Sequence, residues 1–579
     1  MLLRHIFDLT ELIAILALMA LVLAGWGRLA VRFIGLPRMA SINTLEIWFG
    51  FASILGVVEF LNLIFPVDWR MSLVLAVIGV VTLFTSERIE WKQSALVLVG
   101  LVRIYPWAAA SMLMFLLVCC SQAMKSPEIY DSGLYHFQSI RWLNEYPIVP
   151  GLGNLHGRLA FNQSYLGYIA LANIAPIWNK GYAAGGLFLL LLTFASIIEA
   201  DLLRLKGGVL LFSLLILAIW SQVVNISSPT PDIPIALLQV IFFILLLKII
   251  LAEEQDQSAM RYGALLFLLC VAIVTIKLSA AMYAMTSICV SLVLQYKCFL
   301  KYRSVALKTL AVCTLMFAVH LIRGYIYSGV PLYPSTIAGA WGLNWAMPIE
   351  AVKVEANWIY SWARRPWLAP AMVLGNWQWF PYWLKALGIK TWLIFGVSVV
   401  INLLHLLVSR QYKVGAQHSD RRIYIIYVPL LASVIFWFFT APEPRFLGLI
   451  LELLAILSAW LFILTLLSIE FLRFPKTLSH LKQLQILMIL MIALSLQKAI
   501  NFSYVGWEKI PSTPMIIKIT DSGLPVRVPL KGDQCWDETL PCTPYFLTSL
   551  RTRTEAGNAN FNSGFSSKAE YNNPKFWRQ

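Results

Sequence analysis

Long apolar runs recur along the 579-residue chain and constrain its fold more than any other feature. Runs such as Leu12 to Gly27, Gly186 to Ala200 and Phe446 to Leu467 approach the roughly 20 residues that a helix needs to cross a hydrocarbon core. The chain is 59% hydrophobic and only 13% charged, whereas soluble domains average about 45–50% apolar and about 25% charged residues. A water-soluble fold could not bury this apolar surface, so we predict a multi-pass membrane protein.

The apolar runs predict an all-α, polytopic helical bundle of about 14 spans, with boundaries good to a few residues. We read the first run as a retained helix, since no small-residue cleavage site follows it. The chain then divides into N-terminal membrane helices (1–106), a transmembrane core (107–500) and an extracytoplasmic C-terminal segment (501–579). The predicted spans are 9–27, 46–64, 70–85, 107–122, 183–202, 208–225, 233–251, 262–278, 281–297, 304–322, 390–409, 424–440, 446–468 and 484–500.

Clusters of Lys and Arg between the spans decide the orientation, because cytoplasmic loops are enriched in these residues. Six such clusters fall on one side if the segment 159–178 lies at the membrane interface and does not cross. The first outer loop then contains interfacial helices. The net charge of +16 follows from this pattern, and no nucleic-acid-binding motif competes with it. This orientation places four segments on the outer side of the membrane: the loops 125–180, 225–234 and 323–390 and the tail after residue 501.

Two of the eight cysteines look like a pair. Cys535 and Cys542 lie in the polar segment DQCWDETLPC, where Pro541 favours a turn that brings them together. A disulfide requires an oxidising compartment, which agrees with an outward tail. The other six cysteines lie in or at the end of apolar runs, where a thiol behaves as a small hydrophobe.

The first outer loop carries the densest group of candidate functional residues. Asp131, Tyr135, Gln138 and Trp142 follow three- and four-residue steps, which predict a short amphipathic helix. A carboxylate beside hydrocarbon is costly unless it is paired or used. An interfacial helix with solvated charges is the alternative. The candidates from this loop are Glu128, Asp131, His136, His156 and Arg158.

Three further outward groups join them. Asp232 lies between prolines in SSPTPDIP, where a simple turn residue is the alternative. Lys277 ends an apolar run in TIKLS and either snorkels to water or binds an anion. Glu443 and Arg445 follow a span in FWFFTAPEPRFLG, and an Arg fork of donors suits phosphate oxygens. With Arg323, these cations facing carboxylates suit a substrate with a phosphate leaving group.

The order of these motifs resembles the integral-membrane glycosyltransferases of the GT-C fold, which use lipid-phosphate-linked sugars. The resemblance covers residues from about 107 to about 470. It departs from that fold in having several spans before the acidic loop, and in a Glu-x-x-Asp motif where the family has adjacent acids. The loop and the GDQCWDETLPCTPYF tail also resemble an uncharacterised group of bacterial multi-spanning membrane proteins. The motifs are Glu128 and Asp131, Asp232, Lys277, the loop Arg323 to Ser335 with Tyr333, and Arg445 in APEPRF.

The resemblance implies transfer of a sugar from a polyprenyl-phosphate donor to an acceptor glycan, lipid or protein on the outer face of a bacterial inner membrane. Asp131, with His136, is the expected base. Glu128 or Asp232 would orient the acceptor or hold a divalent cation, Mg or Mn. Lys277 and Arg445 would stabilise the departing phosphate. The substrate-binding residues are expected to be Asp232, Lys277, Arg323, Tyr333, Glu443, Arg445, His156 and Arg158.

Two alternatives remain open from the sequence. One is a polysaccharide polymerase or ligase that acts on undecaprenyl-diphosphate glycans without metal. The other is a transporter or flippase for a lipid-linked sugar. The chain has no evident inverted repeat and no pair of broken helices at mid-membrane, which are features typical of transporters. Its polar residues collect at the outer ends of spans, which favours a reaction on one face.

Overall fold

The protein is predominantly helical. The computed structural model describes residues 2–37, 43–85, 106–252, 257–340, 342–411, 421–467, 506–553 and 560–567, with the single positions 489 and 493. Its α-helices are α1 (Leu2–Ile34), α2 (Thr44–Leu61), α3 (Trp69–Thr85), α4 (Pro106–Ala123), α5 (Phe137–Glu145), α6 (Ser164–Asn173), α7 (Gly181–Glu199), α8 (Gly208–Trp220), α9 (Asp232–Leu251), α10 (Gln257–Ile276), α11 (Ala281–Lys301), α12 (Arg303–Ser328), α13 (Ile349–Arg364), α14 (Pro370–Val373), α15 (Phe380–Ala386), α16 (Gly388–Gln411), α17 (Tyr427–Thr440), α18 (Pro444–Leu447) and α19 (Ile450–Leu467).

Short helical turns connect these elements. A π-helix spans Ser132–His136, directly before α5. The 3₁₀ turns in the described residues are Leu152–Asn154, Gly157–Phe161, Leu202–Arg204, Ser221–Asn225, Leu278–Ala280, Thr336–Ala338, Arg421–Ile426 and Phe561–Ser563.

The described residues contain 11 helices that are long and apolar enough to cross a membrane. They are α1, α2, α7 to α12, α16, α17 and α19, some extended by a 3₁₀ turn, and α3 and α4 contain shorter apolar stretches. These helices overlap every predicted span except 484–500, which lies outside the described residues. The predicted all-α, multi-pass membrane class is therefore confirmed.

Burial differs strongly among the apolar helices. α9 is apolar around most of its circumference, and 94% of its most apolar 18-residue stretch is buried inside the protein. A helix that is hydrophobic all round needs an apolar environment all round, and here neighbouring helices supply it. α16 is somewhat less apolar but also long and apolar enough to cross a membrane, and only 11% of its most apolar stretch is buried inside the protein. Lipid must supply the environment of α16, which places α9 at the centre of the bundle and α16 at its edge.

The segment 159–178 contains the short helix α6. Ten residues extend only about 15 Å, too short for a hydrocarbon core of roughly 30 Å. The helix is nevertheless not on the surface as expected. It is buried on nearly all sides, and Ser164 Oγ lies 2.9 Å from Thr275 Oγ1 at the end of α10. Its mostly apolar sequence has no polar face to contact water, and its terminal polar residues Ser164 and Asn173 bond inside the protein.

The C-terminal segment forms a small β-structured body. Strand β1 (Met515–Ile519) pairs antiparallel with β2 (Pro525–Pro529), and Met515 faces Pro529 across the ladder. Strands β3 (Arg551–Thr552) and β4 (Phe565–Ser566) form a second antiparallel pair. A buried apolar cluster joins this segment to the first loop, and its members include Leu134, Tyr135, Trp142, Leu524, Val526 and Phe565. The segment therefore packs onto the loop that carries the acidic motif.

Candidate functional site

Asp131 is the centre of the candidate site. It directly precedes the π-helix, and its carboxylate pairs with two arginines from distant segments. Oδ1 accepts a hydrogen bond from Arg158 Nη1 at 3.1 Å, and Oδ2 lies 2.8 Å from Arg445 Nη1. The Asp131 side chain is only 13% exposed. Both carboxylate oxygens are therefore engaged, which offsets the cost of burying the charge.

Arg158 extends this arrangement to a carboxylate that sequence reasoning missed. Its Nε lies 3.3 Å from Oε1 of Glu355, a buried residue on α13. A signal was available in the sequence, because Ala351, Val352 and Glu355 share the buried face of an amphipathic helix. A glutamate on such a face needs a partner, and Arg158 supplies it.

Asp232 and Lys277 form the second pair of the site. Asp232 begins α9, where the positive end of the helix dipole stabilises a carboxylate. Lys277 occupies the extended break between α10 and the next 3₁₀ turn, and its Nζ donates to Asp232 Oδ1. Lys277 Nζ also lies 4.4 Å from the centroid of the Phe446 ring. The break turns the lysine away from the helix axis and toward α9.

Arg445 is held by a turn that the surrounding helices fix in place. Gln239, in the middle of α9, donates to Leu447 O and accepts from Leu449 N at 2.7 Å. Between those residues, Gly448 has φ +66°, and a Cβ there would lie 2.4 Å from Gln239 Oε1. A residue with a side chain would be strained and would displace Gln239. The sequence therefore requires glycine at this position.

Six charged side chains, three of each sign, together form what we call the charge cluster. Arg445 is its most exposed member, with 40% of its side chain accessible. Glu443, beside it, is part-buried, and burial raises its pKa although Arg445 opposes the change. The remaining guanidinium donors of Arg445 can reach an anion that arrives from outside. The charge cluster consists of Asp131, Arg158, Asp232, Lys277, Glu355 and Arg445.

The electrostatics of the charge cluster set two groups apart. Burial raises the pKa of Asp131, but Arg445 and Arg158 outweigh burial and hold it at about 2. Burial lowers the pKa of His136 to about 4, although Asp131 and Asp232 oppose this. At neutral pH Asp131 is therefore ionised and His136 is neutral. The Nδ1 atom of His136 is buried without a hydrogen-bond partner among the described residues.

A pocket lies directly beside the charge cluster. It is small, with a volume of about 30 Å³ that can hold a water molecule, and it is lined by residues of α9, α11, α17, α18 and α19. Phe446 lines this pocket and also contacts Lys277, so one ring separates the apolar space from the cations. Most of the lining is apolar or aromatic, including Tyr283, Phe436 and Trp437. The helices α11 and α17, which line the pocket, also present exposed apolar residues such as Met285 and Phe439, so the surroundings of the cations suit a ligand with an anionic head and an apolar chain in the lipid.

Three other predicted residues lie at the edge of the site or outside it. Glu128 is exposed and is not a member of the charge cluster. His156 is buried, and its ring centroid lies 5.1 Å from that of Tyr545. Tyr333 is buried, and its hydroxyl and the Glu355 carboxylate both border Gly157. Tyr333 and His156 therefore flank Arg158, whereas Glu128 faces solvent.

The predicted metal ligands Glu128 and Asp232 do not make a suitable donor set. Asp232 is engaged by Lys277, and Glu128 is exposed. Within the described residues, no group of three or more His, Cys, Asp and Glu side chains is arranged to hold a metal ion. A divalent cation on Asp232 would lie close to the Lys277 ammonium, which pairs with Oδ1 of that carboxylate, and like charges at such a distance repel.

Arg323 belongs to a different assembly, which we call the Arg323 network. Its Nη1 donates to Asn62 Oδ1 at 2.9 Å, its Nε to Asn162 Oδ1 at 3.1 Å, and its Nη2 to the Tyr327 hydroxyl at 2.9 Å. All its members are buried, so the expected contact of Arg323 with substrate is not supported by its surroundings. The network consists of Glu59, Asn62, Asn162, His320, Arg323 and Tyr327.

Cys535 and Cys542 form a disulfide in the C-terminal segment. The loop that it closes packs on the π-helix beside Asp131. No feature of the sequence indicated that contact, since about 400 residues separate the two segments.

Comparison with known proteins gives one match. The sequence model of a family described as a domain of unknown function, DUF8201, matches residues 10–451. That range includes Asp131, Arg158, Asp232, Lys277, Glu355 and Arg445, and it ends before the disulfide. Neither the curated proteins nor the solved structures include a significant match to the chain.

Proposed function

The chain belongs to the family described as a domain of unknown function, DUF8201, and we propose that it is a membrane glycosyltransferase that takes its sugar from a polyprenyl-phosphate donor. One observation carries this proposal. Residues from five distant segments converge in the charge cluster beside helices that expose apolar residues, and its arginine Arg445 remains 40% exposed. An anionic head with an apolar tail matches both halves of the arrangement.

The donor phosphate binds to Arg445 and Lys277. Arg445 offers a planar fork of donors, and Lys277 adds a point charge next to Phe446. The prenyl chain lies in the surrounding lipid, against exposed apolar residues of the neighbouring helices α11 and α17, such as Met285 and Phe439. Negative charge grows on the phosphate as the sugar leaves, so cations already fixed in place stabilise the transition state more than the ground state.

In the reaction, an acceptor hydroxyl oxygen bonds to the anomeric carbon of the sugar, and the bond between that carbon and the phosphate oxygen breaks. The electron pair stays on the phosphate, and the hydroxyl proton passes to a base. Asp131 takes this role once the donor is bound. A phosphate on Arg445 draws that arginine away from the Asp131 carboxylate, and the pKa of Asp131 rises as a result. His136, which is neutral and close by, is the second proton acceptor.

No step of this proposal passes through a metal ion, because Asp232 already pairs with Lys277 and Glu128 faces solvent. Transfer should accordingly survive EDTA. Loss of transfer in EDTA, with recovery on adding Mg²⁺ or Mn²⁺, would return Glu128 and Asp232 to the role of metal ligands.

The proposal includes a location. We place the protein in a bacterial inner membrane, with the charge cluster and the disulfide on the periplasmic side. Two arguments support this orientation: Lys and Arg clusters are enriched in cytoplasmic loops, and disulfides persist in oxidising compartments. Labelling of an introduced cysteine at exposed Lys531 by a membrane-impermeant maleimide in intact cells after outer-membrane permeabilisation tests it.

The deciding experiment compares the full-length protein with Asp131→Asn in membranes supplied with polyprenyl-phosphate hexoses and pentoses that carry radiolabelled sugar. We expect label to move from the lipid to an acceptor fraction and to leave polyprenyl monophosphate, and the variant to be about 10²- to 10⁴-fold slower. Asp521→Asn, an exposed aspartate of the C-terminal segment, is the matched control.

Three outcomes would contradict the proposal. Full activity in a folded Asp131→Asn protein would remove Asp131 from the chemistry. Appearance of unaltered lipid-linked sugar on the far side of proteoliposomes, with no sugar transferred, would show a transporter. Release of a polyprenyl diphosphate in place of the monophosphate would assign the chain to the polymerase or ligase class.

A further inference from the structure

The π-helix beside Asp131 has a geometric consequence for the site. Residues five apart on an α-helix are separated by about 140° around its axis, since each turn has 3.6 residues. Asp131 and His136 are five apart, so a regular α-helix would turn them to different faces. Here the Phe137 N–H bonds Ser132 O, which closes the wider i to i+5 turn of a π-helix. The wider turn brings residues five apart closer to one face.

The disulfide loop of the C-terminal segment sits directly on this turn. Trp536 N donates to Gly133 O at 2.8 Å, inside the π-helix. Gly133 permits the approach, because a Cβ there would lie only 2.5 Å from Trp536 Cε2. Trp536 itself has φ +48°, a conformation rarely adopted by a residue with a bulky side chain. The loop must hold that conformation against its local cost.

Further hydrogen bonds fasten the loop on both sides of Trp536. Gln138 Nε2 donates to Trp536 O at 3.0 Å and to Glu538 O at 2.8 Å. Arg141 Nη1 donates to Asp537 O at 2.8 Å. These hydrogen bonds join residues 536–538 of the disulfide loop to the segment 130–141.

Contacts also continue upstream of the disulfide. Gln534 Nε2 donates to Tyr130 O at 2.9 Å, and the Tyr130 hydroxyl donates to Asp533. Asp131 therefore follows a residue that is bonded to the C-terminal segment through both its backbone and its side chain. The contacts bracket the π-helix from residue 130 to residue 141.

We propose that the loop closed by Cys535 and Cys542 is a positioning element of the site. It holds the segment Ser132–His136 in π-helical register and so keeps Asp131 and His136 facing Arg158 and Arg445. Cys535, Cys542 and Trp536 touch no reacting group, and they act through the turn beneath them. The site is complete only when the disulfide is formed, so a chain that lacks the disulfide is folded in the membrane but slow. This inference rests on the proposed transfer activity for its kinetic test only.

The test compares three full-length variants, Cys535→Ala/Cys542→Ala, Trp536→Ala and Trp536→Phe. For each variant, kcat is calculated from the concentration of folded protein. We expect the first two to lower kcat at least tenfold while KM for a polyprenyl-phosphate sugar changes less than twofold, because Lys277 and Arg445 belong to other elements. Trp536→Phe, which keeps a ring over Gly133, should recover most of kcat. Lys531→Ala, an exposed change four residues before Cys535, is the control.

A glycine pair gives an independent variant. Gly133→Ala should push Trp536 off the turn and reproduce the kinetic defect. Gly396→Ala, on lipid-facing α16 with no atom within 4 Å of the added Cβ, should have no effect. A merely structural role for the loop predicts a different result: less folded protein, with kcat per folded molecule unchanged in every variant. That result would overturn the inference.

Hydrogen exchange separates this inference from the proposed function. In the disulfide variant, amides between residues 130 and 141 should exchange at least tenfold faster, whereas those of α9 should keep their rates. If the wild-type chain transfers no sugar but this exchange pattern holds, the proposed function fails and the positioning role stands. Unchanged exchange in segment 130–141 would overturn the positioning role, whatever the activity.

Discussion

The charge cluster and the Arg323 network are both built from buried ionisable side chains, yet they differ in how completely those side chains are satisfied. Arg323 bonds to Asn62, Asn162 and Tyr327 and lies near the Glu59 carboxylate, with almost no exposure. Arg445 pairs with Asp131 at 2.8 Å and leaves 40% of its side chain accessible. A buried guanidinium that donates four hydrogen bonds, as Arg323 does, stabilises structure, whereas one with donors to spare can bind a ligand.

The largest effect should come from the Arg323 network. Arg323→Met leaves Glu59 buried without its cation, and breaking a buried pair in this way costs about 3–5 kcal/mol. We expect a large fall in thermal stability in detergent and poor recovery of folded protein. Lys353→Met, which breaks an exposed pair with Glu350, is the control and should cost at most about 1 kcal/mol. A stable Arg323→Met protein with lost activity would instead assign Arg323 to the site.

Arg445→Ala should give the opposite phenotype. Removing one preorganised cation from a developing negative charge costs about 10²- to 10³-fold in kcat, while partial exposure limits the effect on folding. Arg445→Lys keeps the charge but loses the fork, so it should recover only part of the rate. Transfer assays and thermal unfolding of the same preparations decide the matter. If Arg445→Ala unfolds the protein as Arg323→Met does, the distinction between the two assemblies fails.

The sequence predicted more of the charge cluster than of its surroundings. Asp131, Arg158, Asp232, Lys277 and Arg445 can be recognised because charges at the ends of spans or in the outer loops between them are conspicuous, and a charge beside hydrocarbon is costly unless it is paired or used. Their pairing could not be predicted, since it depends on how α9, α10 and α18 pack. Arg323 drew attention for the same reason, and only its partners Asn62 and Asn162 reveal that it is engaged inside the protein.

Two features escaped sequence reasoning for physical reasons. Glu355 lies in an amphipathic helix among other charges, and only the spacing of its apolar neighbours marks it as buried. The contact between Trp536 and Gly133 joins segments about 400 residues apart, and no local periodicity encodes it. The fold class, by contrast, followed from local apolar composition, because each span is specified by its own residues.

Acidification should destabilise the protein through His136, the histidine beside the charge cluster. His320 Nδ1 lies 2.9 Å from Glu59, whereas His136 Nδ1 has no hydrogen-bond partner among the described residues. Burial lowers the pKa of His136 to about 4, so the unfolded chain binds the proton first. The stability that it contributes is fully present above the unfolded pKa near 6.5 and is lost as pH falls toward 4.

The expected loss through His136 is about 2 kcal/mol between pH 7 and pH 5, read as a fall in thermal stability. His136→Gln should flatten this part of the profile. His156, whose pKa burial lowers to about 3, adds a similar slope, so His136→Gln/His156→Gln should be flatter still. A pH profile that neither change alters would mean that His136 is not buried as a neutral group.

The smallest effect should come from a change at Glu355, which pairs with the same arginine, Arg158, as Asp131 does. In Glu355→Gln, Arg158 has only one carboxylate to neutralise, so its field acts more strongly on Asp131 and lowers the Asp131 pKa further. A weaker base slows proton removal, and we expect transfer to fall about three- to tenfold with little change in donor KM.

Glu350→Gln changes an exposed glutamate of the same helix that pairs with Lys353, and it should leave the rate unaltered. An unchanged rate in Glu355→Gln would show that Arg158 acts on Asp131 independently of Glu355, and the functional part of the charge cluster would then exclude Glu355 but keep Arg158.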